Sequence, residues 1–367
     1  MSILDASVQI SNGLTETSAD GAGLVFDSKY GIMFCAYMPG AQGRYGDSRG
    51  RISLSYFPAS QPTNIRFVTV ATGDDVYCNN ALGLGDGRVR VFYEKHSRAE
   101  GDHPYCYRDF DFLTETLDEE KTVMVRKEDG ALVPLCLSTV FGYLEERGYK
   151  SHKYVNSEQV GLCSFFKGED GYTYGGAVSY LAEPVLYRSS DDCATVEFFC
   201  VYPLPAQYEF EYRFLNGKIY ALYRTNLDTD CIQFSLSEDG GKSWRAPVAL
   251  AESIQCRPRL LVYNSHLLMC YNYYNSDTGH RPEIQQGRTS VRIRYGENAD
   301  PNQNTLLADL YSGRGIVNVC LAEVMNDLYL AYSTSECALE YHNGNPKVRG
   351  KDAIRYVKLG DLIPAEE

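Results

Sequence analysis

The stretch Ser235-Leu-Ser-Glu-Asp-Gly-Gly-Lys-Ser-Trp244 decides how the rest of the chain is read. Within it, Ser237-x-Asp239-x-Gly241-x-Ser243-Trp244 carries the residue types of one tight turn between two strands. Ser and Asp side chains can cap backbone N–H groups inside such a turn, and glycine reaches the positive φ it needs. The aromatic that follows can tuck beneath the turn. Trp244 is the single tryptophan of the chain, and it stands at that position. A degenerate copy lies at Ser189-x-Asp191-x-Cys193-x-Thr195-Val196.

Both copies fall at the same point of a larger repeating unit. The unit is an apolar strand, a Gly/Asp/Asn turn, a second apolar strand ending in Tyr, a loop, then a third strand rich in Tyr and Arg. Its first turns include Gly85-Asp-Gly87, Leu215-Asn-Gly-Lys218, Tyr263-Asn-Ser-His266 and Met325-Asn-Asp-Leu328. Second strands include Val89–Tyr93, Ile219–Tyr223, Leu267–Tyr271 and Leu328–Tyr332. Third strands include Arg51–Tyr56, Val185–Arg188, Val291–Tyr295 and Ala353–Tyr356. Six such units predict an all-β fold, a six-bladed β-propeller of four-stranded antiparallel blades, with 1–367 as one domain. Seven blades is the alternative, the extra one hidden in the irregular third unit. The apolar Val8-Gln-Ile10 is expected to pair with the last unit and close the ring, removing a sheet edge.

The third unit carries a helix-loop insertion at about 130–160. Leu137, Val140, Phe141 and Leu144 have helical spacing, which predicts a short helix over 136–147 with Ser138 as its cap. A polar loop, Arg147 to Gln159, follows. The helix is read as a packing plug or as part of a lid.

With 48 acidic against 35 basic residues the net charge is −13, which excludes nucleic-acid or anionic-membrane binding through bulk charge. A local basic pocket is still compatible with it. No apolar run approaches the ~18 residues of a membrane helix. The start, Met1 to Ser7, has no basic and apolar leader. A cytoplasmic protein is expected, or a secreted one whose leader has been removed. The 12 cysteines show no Cys-x-x-Cys pair and read as reduced core residues. No cofactor is expected. A structural Ca²⁺ is compatible, but no ligand spacing calls for it.

The Ser237–Trp244 pattern resembles an Asp box, the hairpin signature of sialidase-like (BNR) propellers. That resemblance implies a functional face opposite the Asp-box turns, built from loops after second strands and between blades. Four of the six histidines, His96, His103, His280 and His342, fall in loops after a second strand. His152 lies in the insertion, and only His266 falls in a first turn. A sialidase needs arginines to clamp a carboxylate, yet Gly21-Ala-Gly-Leu-Val-Phe26, where the family's first arginine would stand, holds none. A second resemblance, over about 30 residues, is to the ulvan-lyase-like branch of propeller polysaccharide lyases and related hydrolases. It rests on Asn79-Asn80, Val91-Phe-Tyr-Glu-Lys-His96 and His103-Pro-Tyr-Cys-Tyr-Arg108, with Asn79 where that family has His.

These readings converge on a carbohydrate-active enzyme cleaving an acidic oligo- or polysaccharide, leaning to β-elimination. Elimination next to a uronate needs a neutraliser, a base and an acid. His and Tyr can exchange the protons, each contributing ~10²–10⁴-fold. His96 or His103 is the expected base and Tyr208 the acid. Asn79, Arg224, Arg257, His280, Arg281 and Arg288 are the expected substrate contacts, since arginine pairs bidentately with carboxylates. A sialidase-like glycoside hydrolase is the first alternative. The second is a non-catalytic glycan- or protein-binding propeller, such as a phage-particle component, with Tyr271, Tyr273 and Tyr274 stacking on sugar rings. Oligomeric state is left open.

Overall fold

A computed structural model describes residues 3–11, 19–39, 51–73, 76–95, 103–149, 160–162, 164–179, 182–206, 209–224, 231–254, 256–273, 290–311, 316–342 and 345–360. Its sheets form a six-bladed β-propeller whose blades wind outward from an innermost strand, in chain order in blades 1, 2, 4 and 5. Blade 1 is Ala19–Asp27, Ile32–Pro39, Arg51–Pro58 and Arg66–Thr72. Blade 2 begins with Val76–Gly85, Arg88–Lys95 and Tyr105–Asp111, edged by Lys121–Thr122. Blade 4 is Phe210–Leu215, Lys218–Tyr223, Gln233–Ser237 and Val248–Ala249. Blade 5 is Arg259–Tyr263, His266–Asn272, Ser290–Tyr295 and Thr305–Tyr311. Blade 6 is Val317–Val324, Asp327–His342 and Asn345–Gly360.

Blade 6 takes its outermost strand from the other end of the chain. Val8 pairs with Tyr356 and Gln9 with Arg355, antiparallel. The ring is therefore closed by the segment the sequence points to, and the exposed edge of Asn345–Gly360 is covered.

Blade 3 is the irregular one. Its innermost strand is broken into Val160–Leu162 and Phe166–Lys167, both paired with Thr173–Ser179. Val185–Ser189 and Thr195–Val201 follow. Beyond them Met124–Arg126 adds parallel to Thr195–Val201, and Leu132–Pro134 pairs antiparallel to it. The extra strands widen this blade; they do not make a seventh. Phe165 sits in the break of the inner strand and lies over Gly175, where a β-carbon would come within 2.0 Å of its ring. Gly175→Ala is therefore expected to destabilise the fold by roughly 1–3 kcal/mol through overpacking. Adding Phe165→Leu should recover part of that loss. Urea unfolding of both variants checks this, and an unchanged midpoint for Gly175→Ala would refute it.

The inserted helix spans Leu137–Glu146 and buries Val140, Tyr143 and Leu144. Tyr143 stacks on Phe198 of blade 3 at 3.6 Å between ring centroids. The helix is thus a packing element on the outside of blade 3. Its N-cap is Cys136, without a side-chain cap bond, so the expected capping role of Ser138 is corrected. Ser138 sits inside the first turn, where its hydroxyl is 3.4 Å from the Cys136 sulfur. The polar loop at 150–159 lies outside the described residues.

Alternation along the strands puts apolar side chains between blades. Among the described residues the hydrophobic clusters follow the ring, one for each pair of neighbouring blades. The first hairpins turn on paired positive-φ residues, such as Asn216–Gly217 and Asn264–Ser265, whose twist matches that of the strands. Nine described cysteines are free thiols, most of them buried. Among the described residues no helix is long and apolar enough to cross a membrane.

The up-and-down winding sorts the connections to two ends. First hairpins and third-to-fourth turns leave on one end, the hairpin face. Second-to-third loops and interblade connections leave on the other, the loop face. On the hairpin face the Ser237 hydroxyl accepts Gly241 N at 2.8 Å, and Asp239 Oδ1 accepts Ser243 N at 2.9 Å. The Ser189 turn repeats this, with Cys193 N to Ser189 Oγ at 2.8 Å and Thr195 N to Asp191 Oδ1 at 2.8 Å. Hydrogen bonds from the Ser243 hydroxyl and backbone hold the Asp239 carboxyl at about 2, well below its ordinary value.

Candidate functional site

Three innermost strands are irregular where they reach the loop face. Register slips between Gly21 and Gly23 in blade 1, between Cys78 and Asn80 in blade 2, and between Val317 and Cys320 in blade 6. A bulge places an extra residue on one strand, bends it and re-aims the neighbouring side chains. Asn79 is the extra residue of blade 2 and is described by its backbone. Asn80 beside it is buried, its side-chain oxygen accepting Ala81 N at 3.1 Å. Asn318 lies in the blade 6 irregularity at φ 50°.

Just below these bulges the central channel is filled by charge. Glu211, on the innermost strand of blade 4, is fully buried. Its Oε1 accepts Arg259 Nη1 of blade 5 at 2.5 Å and the Ser164 hydroxyl of blade 3 at 2.5 Å. Its Oε2 accepts Arg213 Nη1 at 3.4 Å. Arg259 spends its remaining donors on blade 6, with Nε to Val319 O at 2.6 Å and Nη2 to the Cys320 sulfur at 3.2 Å. Burial alone would raise the Glu211 carboxyl; the charges of Arg259, Arg213 and Arg257 reverse this and hold it below its ordinary range. The charges of three guanidinium groups act on this one carboxylate at the centre of an acidic protein.

Around this plug the loop face presents further polar groups. In blade 4, Arg224 Nη1 pairs with Glu209 Oε2 at 3.0 Å, and the two backbones are also bonded at 2.9 Å. Arg224 Nε is buried with no hydrogen-bond partner among the described residues. Arg257 is half-buried at the entry to blade 5. Asn272 is fully buried at the end of the second strand of blade 5, and its Nδ2 donates to Ile316 O at 2.7 Å. In blade 2, Glu94 is buried at the end of the second strand, and half-buried His103 precedes the third. Among the described residues no three His, Cys, Asp or Glu side chains gather as a metal-binding group.

The expected site residues distribute as follows. His103, Arg224 and Arg257 lie on the loop face, Arg224 as the partner of Glu209. His96, Tyr208, His280, Arg281 and Arg288 lie outside the described residues. His266 stands in a first hairpin on the opposite face. Tyr271 and Tyr273 are corrected: each is about 98% buried or more, in the core between blades 4 and 5, and so out of reach of a sugar ring. Tyr271 accepts a bond from Arg294 Nε at 3.0 Å, and Tyr273 lies under Arg292 at 3.9 Å. Tyr274 is outside the described residues. The reading missed Glu211, Arg213 and Ser164. A signal was present: Phe210-Glu-Tyr-Arg-Phe214 puts two opposite charges, two residues apart, inside an otherwise apolar strand.

No family model and no curated protein matches this chain. Solved structures do. Trypanosoma rangeli sialidase in complex with the inhibitor DANA is 11% identical at a TM-score of 0.62, over 98% of this chain and 58% of that one. The fold is that of a sialidase-like propeller. A Dyadobacter fermentans protein of unknown function is 12% identical at a TM-score of 0.60, over 96% of this chain and 97% of that one. A luciferin-regenerating enzyme is 11% identical at 0.52, over 97% and 96%. Likeness at these identities concerns the fold, and this chain spans 58% of the length of the trypanosomal sialidase. In this sialidase-like propeller the arginines described around the channel centre come from blades 4 and 5.

Proposed function

We propose that this propeller binds an acidic glycan at the loop-face mouth and cleaves its glycosidic linkages. One observation carries the reading: Arg224 and Arg257 lie together on the loop face, above the plug, in a chain whose net charge is −13. Arginine pairs bidentately with carboxylates, so this placement favours a carboxylate-bearing sugar over a neutral one. The Arg224 side chain, about 20% exposed beside Glu209, is the guanidinium such a carboxylate would meet.

Two described carboxylates near this mouth are tied to guanidinium groups, Glu209 to Arg224 and Glu211 to Arg259 and Arg213. These two act as holders of charge, and proton transfer is assigned to His103, His96 and Tyr208. That division of labour supports β-elimination. The base takes the proton beside the carboxylate, a carbon–carbon double bond forms, and the leaving oxygen receives a proton. The second reading, hydrolysis by addition of water, is favoured by the likeness to a sialidase solved with sialic acid, at a TM-score of 0.59.

Incubation with uronate-containing and sialylated glycans separates these readings. Absorbance from an unsaturated uronate is the expected result. Reducing-sugar release without that absorbance would establish hydrolysis, and silence in both would overturn the enzymatic reading for those substrates. Arg224→Ala is expected to weaken binding of the acidic oligosaccharide about 10- to 100-fold, the effect of one charge-assisted hydrogen bond. Neutral oligosaccharides should show no such change. Equal affinity of the two proteins for the acidic ligand would refute the clamp.

A further inference from the structure

The plug divides the channel, and the half below it is a cavity of about 620 Å³. This cavity reaches the turn residues Gly168, Asp170, Asn216, Gly217 and Gly240, so it opens on the hairpin face, away from the mouth described above. Its floor is polar, with Asn80, Ser164, Arg259 and Cys320. Its walls are apolar. Phe166, Tyr174, Phe199 and Phe214 line one side, and Leu261, Val262 and Leu321 another. The aromatic rings pack edge to face, Tyr174 on Phe214 at 4.4 Å and Phe166 on Phe214 at 5.6 Å, which gives a rigid surface. Arg213 joins floor to wall. Its side chain lines the cavity, its guanidinium reaches Glu211, and it lies 4.9 Å from the Phe166 ring.

We propose that this lower half of the channel is a second binding pocket, for a small amphiphile with a flat or branched apolar body and one carboxylate or sulfonate. The acid group would lie at the floor beside Arg213, and the body along the aromatic wall. Pre-formed, mainly apolar pockets of this size with a few polar groups at one end are the usual form of small-molecule sites. The charge argument decides which end the acid takes. Two guanidinium groups, those of Arg213 and Arg259, line the floor against the single carboxylate of Glu211. The rim carboxylates Glu169 and Asp170 are solvated and screened by salt, so they act weakly on a buried head group, and half-buried Glu323 stands at the hairpin end of the wall, away from the floor.

The probe is 8-anilinonaphthalene-1-sulfonate, read by its fluorescence on the intact chain. One saturable site is expected. Leu261→Trp, which fills the cavity from its wall, should weaken the probe about tenfold or more. With the unaltered protein, 2-naphthoate should displace the probe about tenfold more effectively than its neutral counterpart 2-naphthalenemethanol, since a charged hydrogen bond has that weight. Non-saturable binding, or a Leu261→Trp variant that is folded and binds unchanged, would overturn the pocket. Equal displacement by acid and alcohol would overturn the role of Arg213.

Discussion

Replacing Glu211 with alanine is expected to cost about 3–5 kcal/mol of folding stability, the range for breaking one partner of a buried ion pair. The physical reason is the set of charges left behind. Glu211 is fully buried, and Arg259 and Arg213 beside it are almost as deep. Without the carboxylate both guanidinium groups stay in a low-dielectric centre and lose the counter-charge they share, and the Ser164 hydroxyl loses its acceptor. Urea unfolding followed by the fluorescence of Trp244 measures the effect. A loss under about 1 kcal/mol would mean that water enters the plug and screens it.

The same group sets a pH dependence whose sign follows from its environment. The Glu211 carboxyl is held below its ordinary value of 4.5 in the folded protein. Its contribution is therefore complete above about pH 4.5 and is lost as the pH falls through the lower folded value. Glu211→Gln keeps the shape and lacks the charge. The stability gap between the unaltered protein and Glu211→Gln should be constant near neutrality and shrink on acidification below about pH 4.5. A gap that widens there would contradict the assignment.

Removing residues 1–11 is the second large effect expected. This segment touches both neighbours of blade 6. Leu4 packs in the cluster between blades 5 and 6, and the fully buried Ile10 in the cluster between blades 6 and 1. Ser7 accepts Arg355 Nε at 2.8 Å, and Ile10 N bonds Ile354 O at 2.8 Å. Burying the two aliphatic side chains contributes about 1.5–3 kcal/mol each, so the loss should be roughly 3–6 kcal/mol before hydrogen bonds are counted. The truncated chain would also expose the edge of Asn345–Gly360, a template for pairing with other chains. Unfolding midpoints and light scattering check both effects. A peptide of residues 1–11 added in trans should reverse them. A truncated chain that stays monodisperse and unfolds within about 1 kcal/mol of the full one would show that the ring holds without its closing strand.

Much of the architecture was legible because it is local. A hairpin needs residues that tolerate positive φ, and Asn216–Gly217 and Asn264–Ser265 announce themselves in the chain. Strand alternation marks which side chains face the next blade, and the spacing of turns narrows the blades to six or seven. Blade 3 was the hard case, because Met124–Arg126 joins it in parallel from an earlier part of the chain, a pairing with no short-range signal. The site was less legible. His103, Arg224 and Arg257 could be sorted to the loop face by counting strands, but counting could not show that Arg224 is paired with Glu209.

The choice of six blades over seven came from the structure; from its residues alone, then, this chain determines its turns, its strand faces and the face on which each loop emerges. Each of these depends on neighbours a few residues apart. Only the tertiary structure decides that Glu211 meets Arg259, 48 residues away, and Ser164, 47 residues away on the other side. It also decides that their meeting divides the channel into a charged upper mouth and an apolar lower pocket. Closing the ring brings innermost strands from different blades to one axis, and buried charges are tolerated only where an opposite charge is brought within reach. Sequence separation carries no information about that distance.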